Sequence, residues 1–189
     1  PGAFLLLSTL PTDRAMAGLF WTLARGGTLV LPSDRAEQDV TSLLAMISQN
    51  RVTHLLTVPS LYAVVLEELT AAGTLQCAIV AGEACPAELV ARHHAQLAGV
   101  QLHNEYGPTE TTVWCSAAPL LADAPVRIGR PLVNTQLYVV NRDAPPMPLG
   151  TAGVLLVGGP QGAQRYAGDP RRTEVRFVAS RYAACARLY

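Results

Sequence analysis

The chain contains no lysine: all 14 of its basic residues are arginine. That excludes a GxxxxGK[ST] phosphate loop, which needs a lysine, and any lysine nucleophile or catalytic lysine within these 189 residues. Net charge is also absent, with 14 acidic residues against 14 basic ones, so nothing suggests a nucleic-acid or membrane-surface partner. Long apolar runs are missing as well. Phe4–Leu7 and Val154–Val157 fall far short of the roughly 20 residues needed to span a bilayer, and no signal peptide is visible. Cysteine is sparse, at positions 77, 85, 115 and 185, with no CxxC pair. His93 and His94 have no cysteine at zinc-ligand spacing. The thiols read as buried small residues, and a reduced, cytosolic compartment is the default expectation.

Half of the residues are hydrophobic, enough for one sizeable core, and the length favours a single domain. Through about residue 118 two textures alternate. Short apolar runs predict buried strands at Phe4–Leu7, Thr28–Leu31, His54–Val58, Cys77–Ala81 and Gln101–Glu105. Amphipathic stretches predict helices at Ala15–Ala24, Val40–Gln49, Leu61–Leu69 and Ala87–Leu97. Gly26-Gly27 and Gly73 mark helix ends, and Pro86 marks a helix start. This alternation predicts an α/β fold with a parallel-rich sheet flanked by helices in residues 1–118. In residues 119–189 helical periodicity fades. Strands at Gln136–Val140 and Val154–Val157, separated by a turn rich in Pro145, Pro146 and Pro148, predict a β-rich continuation.

The densest chemistry lies in Asn104-Glu105-Tyr106-Gly107-Pro108-Thr109-Glu110. It follows a predicted strand, and ligands gather beyond the carboxyl ends of parallel strands. Tyr106 offers a flat face to a purine. Gly107 allows close backbone approach to a ligand. Thr109 supplies a hydroxyl to a phosphate oxygen, and Glu110 a hard oxygen to Mg²⁺. A plain Gly-Pro turn with polar surface residues accounts for the same letters.

The run YGPTE at Tyr106–Glu110 resembles a core motif of the adenylate-forming enzymes, the superfamily of acyl- and aryl-CoA ligases, luciferases and nonribosomal peptide synthetase adenylation domains. FWTLARGGTLVL at Phe20–Leu31, TVPSLY at Thr57–Tyr62, VAGEACP at Val80–Pro86, IGRPLVNTQLYVV at Ile128–Val140 and the stretch Leu149–Phe177 match further family segments in order. The resemblance covers nearly the whole chain and implies a piece of an AMP-binding adenylation domain, part of its large N-terminal subdomain. Upstream, before Pro1, it implies a Gly/Ser/Thr-rich phosphate loop. Downstream, it implies a TGD motif after Tyr189 and a lid domain bearing the catalytic lysine. The piece alone is therefore expected to be inactive.

The resemblance implies ATP and Mg²⁺ as cofactors. Tyr106 would stack on adenine, Asn104 face its amino edge, Gly82 and Gly107 lie along the nucleotide, Thr109 touch phosphate and Glu110 hold the metal. Thr109 and Glu110 would thereby be the catalytic pair. The amino-acid pocket would be lined by Asp13, Arg14, Ala17, Thr57, Ile79, Ala81, Glu105, Val113 and Trp114. Asp13 would meet the α-ammonium group, although the same residue also reads as a helix-capping aspartate. Arg14 and Glu105 are unusual linings, because buried charge is costly unless paired. Either they pair with each other or one meets a polar substrate side chain. The aminoacyl group would pass to the phosphopantetheine of a carrier domain, beside a condensation domain, in antibiotic or other secondary-metabolite biosynthesis. The pattern departs from the family at Gln164-Arg165, where a small residue before Tyr166 is usual, at Val154, and at Leu10-Pro11-Thr12 before the aspartate. Two alternatives share the fold: a CoA ligase, against which Asp13 argues, and a non-catalytic relic.

Overall fold

A computed structural model describes residues 2–8, 12–32, 39–141, 145–182 and 187–189. Leu10, Pro11 and Cys185, which figure in the sequence reading, lie outside the described residues. The chain divides into two compact units. One comprises Pro1–Tyr106 and Ala117–Gly129, the other Gly107–Ser116 and Arg130–Tyr189.

In the first unit, strands β1 (Ala3–Leu6), β2 (Thr28–Val30), β3 (His54–Thr57), β4 (Cys77–Ala81), β5 (Gln101–Tyr106) and β6 (Ser116–Pro119) alternate, up to β5, with helices α1 (Asp13–Ala24), α2 (Val40–Gln49), α3 (Pro59–Glu68) and α4 (Ala87–Gln96). The strands stand side by side in the order β2-β1-β3-β4-β5-β6. β1 pairs in parallel with β2 and β3, β3 with β4, and β4 with β5. Each predicted strand and helix is present with its ends shifted by no more than two residues.

The period-2 alternation of the strands sorts their side chains onto two faces. Leu5, Leu55, Ala78, Val80 and Leu102 share one core with Leu43 and Ile47 of α2, Tyr62, Val65 and Leu66 of α3, and Leu89 and Val90 of α4. On the opposite face α1 comes so close to β1 that a Cβ on Gly18 would lie 2.6 Å from the Phe4 ring and 3.0 Å from Leu6. The sheet is thus covered on both faces, as parallel sheets are.

Local chemistry fixes the helix starts. The Asp39 carboxylate accepts the Thr41 N–H at the head of α2. Pro59 opens α3, where a missing N–H is tolerated. Both Glu83 oxygens accept from Ser60, one from its N–H and one from its hydroxyl. Pro86 is the N-cap of α4 rather than its first residue. His93 does structural work: its Nε2–H donates to the Val100 carbonyl at 2.9 Å, so its Nδ1 accepts the Tyr62 hydroxyl at 2.6 Å. Burial holds its pKa below the usual histidine value.

The second unit holds a 3₁₀ turn at Thr109–Thr111, β7 (Arg130–Pro131), and the antiparallel pair β8 (Gln136–Val140) and β9 (Val154–Gly158). It ends in helix α5 (Pro170–Arg176) and the short antiparallel strands β10 (Val178–Ala179) and β11 (Arg187–Leu188). The unit is β-rich as expected, but α5 was not. Seven residues are too few to show a 3.6-residue period, and the helix stands on Asp169 accepting the Arg172 N–H ahead of Pro170. Tyr189 extends the β-structure, exchanging two backbone hydrogen bonds with Val157 at 2.8 and 2.9 Å.

Gly129 is the tightest glycine in the first unit. Its φ is +88°, and a Cβ there would lie 1.9 Å from the Ala117 carbonyl oxygen. Gly129→Ala is expected to destabilise the fold by about 3 kcal/mol, combining left-handed strain with overpacking. A thermal unfolding midpoint within a degree of the parent would contradict that packing.

Candidate functional site

The carboxyl ends of β3, β4 and β5 collect most of the expected site residues of the first unit. The register pairs Thr57 with Val80, Ile79 with His103, and Ala81 with Glu105. Ile79, Ala81 and Glu105 alternate along the strands with Ala78, Val80 and Leu102, so they face α1 rather than the α2–α4 core. α1 brings its first turn to the same edge. A Cβ on Gly82, whose φ is +85°, would lie 2.8 Å from Arg14 Nη1; the Arg14 guanidinium thus rests on the glycine that the resemblance assigns to the base.

Asp13 is the first residue of α1, and Thr12 is its N-cap. The Asp13 carboxylate accepts the Arg14 N–H at 2.8 Å. It therefore performs some of the local helix-end work considered for it, while remaining half-buried. Thr57 and Ala81 are buried, and Ala17 is half-buried.

Among the described residues Glu105 has no cation partner. Among the described residues the ion pair is Arg92–Glu67, at 3.5 Å on the surface, and Arg14 is turned to Gly82. Of the two alternatives for Arg14 and Glu105, the mutual pair is thus not formed. Burial alone pushes the Glu105 carboxyl up to about 7.

Asn104 points to the other face of β5. It is buried, and its Nδ2 donates to the Arg127 carbonyl at 2.9 Å, which leaves Oδ1 as the acceptor it can offer a ligand. The Tyr106 ring is 40% exposed, available for stacking.

In the second unit the glycine of the YGPTE run has an internal explanation. A Cβ on Gly107 would lie 2.5 Å from the Val113 carbonyl oxygen and 2.6 Å from Trp114 Cα. The chain's own return accounts for the glycine, where the sequence reading invoked close approach of a ligand. That return is strained: Thr112 and Val113 adopt φ of +55° and +70°, and a β-branched residue there is a genuine outlier. Val113 is buried, and the buried Trp114 Nε1 finds no hydrogen-bond partner among the described residues. Thr109 is exposed on the 3₁₀ turn.

Glu110 is the most engaged functional side chain. Its Oε1 accepts the Tyr166 hydroxyl at 2.5 Å. Desolvation raises its pKa, but hydrogen bonds from Tyr166 and Tyr189 and the charge of Arg172 outweigh this, and the carboxyl sits below the usual value. Tyr166 in turn carries the Arg172 guanidinium 4.2 Å above its ring and meets Phe177 edge-on. Sequence reasoning missed Tyr166 and Tyr189 as partners of Glu110. The only signal was that Tyr166 lies in a family-like segment.

No group of three or more metal-ligating side chains occurs among the described residues. Cys77, Cys85 and Cys115 are free thiols, and no described helix is long and apolar enough to cross a membrane.

The chain belongs to the AMP-binding enzyme family, whose pattern it matches over residues 3–167. It is 34% identical to tyrocidine synthase 3 of Brevibacillus parabrevis over 94% of this chain and 3% of that protein. It is 36% identical to enterobactin synthase component F of Escherichia coli (strain K12) over 94% of this chain and 15% of that protein. Among solved structures it resembles the nonribosomal peptide synthetase FmoA3 with α-methyl-L-serine-AMP bound, with a TM-score of 0.90 and 31% identity over all of this chain and 22% of that one. A four-domain nonribosomal peptide synthetase bound to AMP and glycine gives the same TM-score and identity, with 14% of that chain covered. The chain thus spans a small part of the length of its relatives.

The isolated Glu105 carboxyl makes stability depend on pH. Its folded pKa of about 7 lies above the ordinary value of 4.5, so the folded state holds a proton that the unfolded state has released. Stability is therefore expected to fall as pH rises from about 5 to 8, by on the order of 1–3 kcal/mol. Glu105→Gln should flatten that dependence and be the more stable variant at pH 8. Parallel melting curves for the two proteins, remaining parallel across this range, would contradict an unpaired buried carboxyl.

Proposed function

We propose that this chain is the central part of an adenylation domain that activates an amino acid with ATP for loading onto a carrier-bound phosphopantetheine. The observation that supports this most strongly is the similarity along its whole length, at a TM-score of 0.90, to a synthetase with α-methyl-L-serine-AMP bound. Its local chemistry is compatible. Tyr106 offers the ring for adenine, Asn104 Oδ1 accepts from the base's amino edge, and Gly82 lies alongside. The Thr109 hydroxyl donates to a phosphate oxygen.

The residues suit Mg²⁺. The Glu110 carboxylate is kept ionised and is braced by neutral phenols rather than neutralised by a direct ion pair, and Mg²⁺ usually takes one or two carboxylates plus substrate phosphates. When bound, the cation would neutralise phosphate charge. Glu110 would hold it, and Thr109 would orient the phosphate.

In the reaction a carboxylate oxygen of the amino acid attacks the α-phosphorus of ATP. The bond from that phosphorus to the bridging oxygen breaks, and pyrophosphate leaves with the electron pair. The chain's contribution is positioning and electrostatic complementarity. Asp13 pairs with the substrate ammonium. Arg14, Ala17, Thr57, Ile79, Ala81 and Glu105 of the first unit set side-chain preference. The partners are the carrier and condensation domains of a cytoplasmic synthetase.

The test is amino-acid-dependent ATP–pyrophosphate exchange by the full-length protein over a panel of amino acids. Exchange with at least one is expected. Glu110→Gln should lower kcat about 10²-fold, the usual cost of one group that stabilises transition-state charge, with the melting midpoint retained. Asp13→Ala should raise KM for the amino acid, and Glu105→Ala should change which amino acid is preferred. Absence of exchange across the panel would falsify the assignment.

A further inference from the structure

We infer that Tyr166 is a positioning residue for Glu110, and that residues 161–166 form a strap holding the metal-binding turn in shape. The inference rests on the proposed role of Glu110 and adds the device that makes that role possible. Three hydrogen bonds join the strap to the turn. The Thr112 hydroxyl donates to the Gln161 carbonyl at 2.5 Å, the Ala163 N–H donates to the Glu110 carbonyl at 2.7 Å, and the Tyr166 hydroxyl donates to Glu110 Oε1 at 2.5 Å. Both the backbone and the side chain of Glu110 are therefore fixed by one segment more than fifty residues away in sequence.

The turn needs an external hold. Its exit through Thr112 and Val113 is left-handed at two consecutive non-glycine residues, a strained conformation that persists only when the surroundings enforce it. The Thr112 hydroxyl bond anchors one of the strained residues directly. The strap is itself anchored. The Tyr166 N–H donates to Thr173 Oγ1 at 3.0 Å, and the buried Thr173 hydroxyl donates to the Asp169 carbonyl at 2.7 Å, at the head of α5. Phe177 and Arg172 fix the Tyr166 ring from its edge and its face.

The chemistry of a phenol suits this task. It donates a single proton, so it can pin one carboxylate oxygen without contributing a charge that would neutralise the group. A carboxylate pinned in this way presents its remaining lone pairs in a fixed direction, as the hydrogen-bonded ligands of metal sites do. A lysine or arginine in place of Tyr166 would hold the carboxylate as firmly but would compete with the cation for its charge.

The test is a double-mutant cycle on the full-length protein. Mn²⁺ is titrated onto protein saturated with a non-hydrolysable ATP analogue, and binding is read by water-proton relaxation. Tyr166→Phe keeps the ring and its neighbours and removes only the donor. It is expected to weaken Mn²⁺ binding about 10-fold, the lower end of the usual cost of losing a residue that braces a ligand. Glu110→Gln should weaken binding at least as much, and the double variant should be no weaker than Glu110→Gln alone. Unchanged Mn²⁺ affinity in Tyr166→Phe, with or without a lower metal-free melting midpoint, overturns the inference. So does an equal loss in the Glu110→Gln background, because Tyr166 would then act without Glu110. A Glu110→Gln protein that binds Mn²⁺ normally overturns instead the metal role on which the inference stands.

Discussion

The in-register parallel pairing of β3, β4 and β5 is the constraint on which the first unit's share of the site depends. Thr57 sits opposite Val80, and Ala81 opposite Glu105, so residues nearly fifty positions apart end at one level of the sheet. Because side chains alternate faces, a slip of one residue would exchange Ile79, Ala81 and Glu105 for Val80 and Asn104 and put a carboxylate into the apolar core. The register is protected by that penalty. Leu55, Ala78, Val80 and Leu102 are buried among the side chains of α2, α3 and α4, and their dry environment is what makes the opposite face available for polar chemistry.

That polar face is held open differently from an ordinary core. Gly18 admits the Phe4 ring and lets α1 settle on the sheet, which carries Asp13 and Arg14 to the carboxyl edge. Gly82 then provides the flat surface on which the Arg14 guanidinium lies. Arg14 and Glu105 thus stay apart, each without an ion-pair partner among the described residues. A pair formed between them would have cancelled the electrostatic character of the edge. Left separate, they cost desolvation, visible in the raised Glu105 pKa, and keep their capacity to discriminate between polar ligands.

The fold was legible because periodicity is a backbone-level signal. Cys77–Ala81 and Val40–Gln49 were read with their observed ends, and the α/β order followed from the alternation. Helix α5 was not legible, since its seven residues rest on a capping aspartate rather than on an apolar stripe. Residue type by itself singled out Glu110 and Tyr106 as candidates, and both lie where a side chain can be offered to a ligand, Tyr106 exposed at the end of β5 and Glu110 half-buried on the 3₁₀ turn. The site was illegible where meaning depends on what the chain folds against. Gly107 was assigned to a ligand, whereas the backbone of Val113–Cys115 fills the space beside it. Nothing in the letters Thr112-Val113 announces left-handed backbone, because that conformation is normally signalled by glycine or asparagine. The Tyr166–Glu110 bond spans 56 residues, a separation over which no local pattern operates.

The two units therefore support their functional groups by opposite physical means. In the first, side chains ride on strands whose hydrogen bonds and apolar core fix them cooperatively, so displacing one requires displacing the sheet. In the second, Glu110 rides on a single 3₁₀ turn with a strained exit, and the turn is held by three hydrogen bonds with residues 161–166, with Tyr189 a further donor to the Glu110 carboxylate. Glycine at 112 or 113 would relieve the strain. It would also delete either the hydroxyl that bonds Gln161 or the buried isopropyl group of Val113. The strained residues are thus the ones that tie the turn down, and the turn cannot relax without releasing its contacts with residues 161–166.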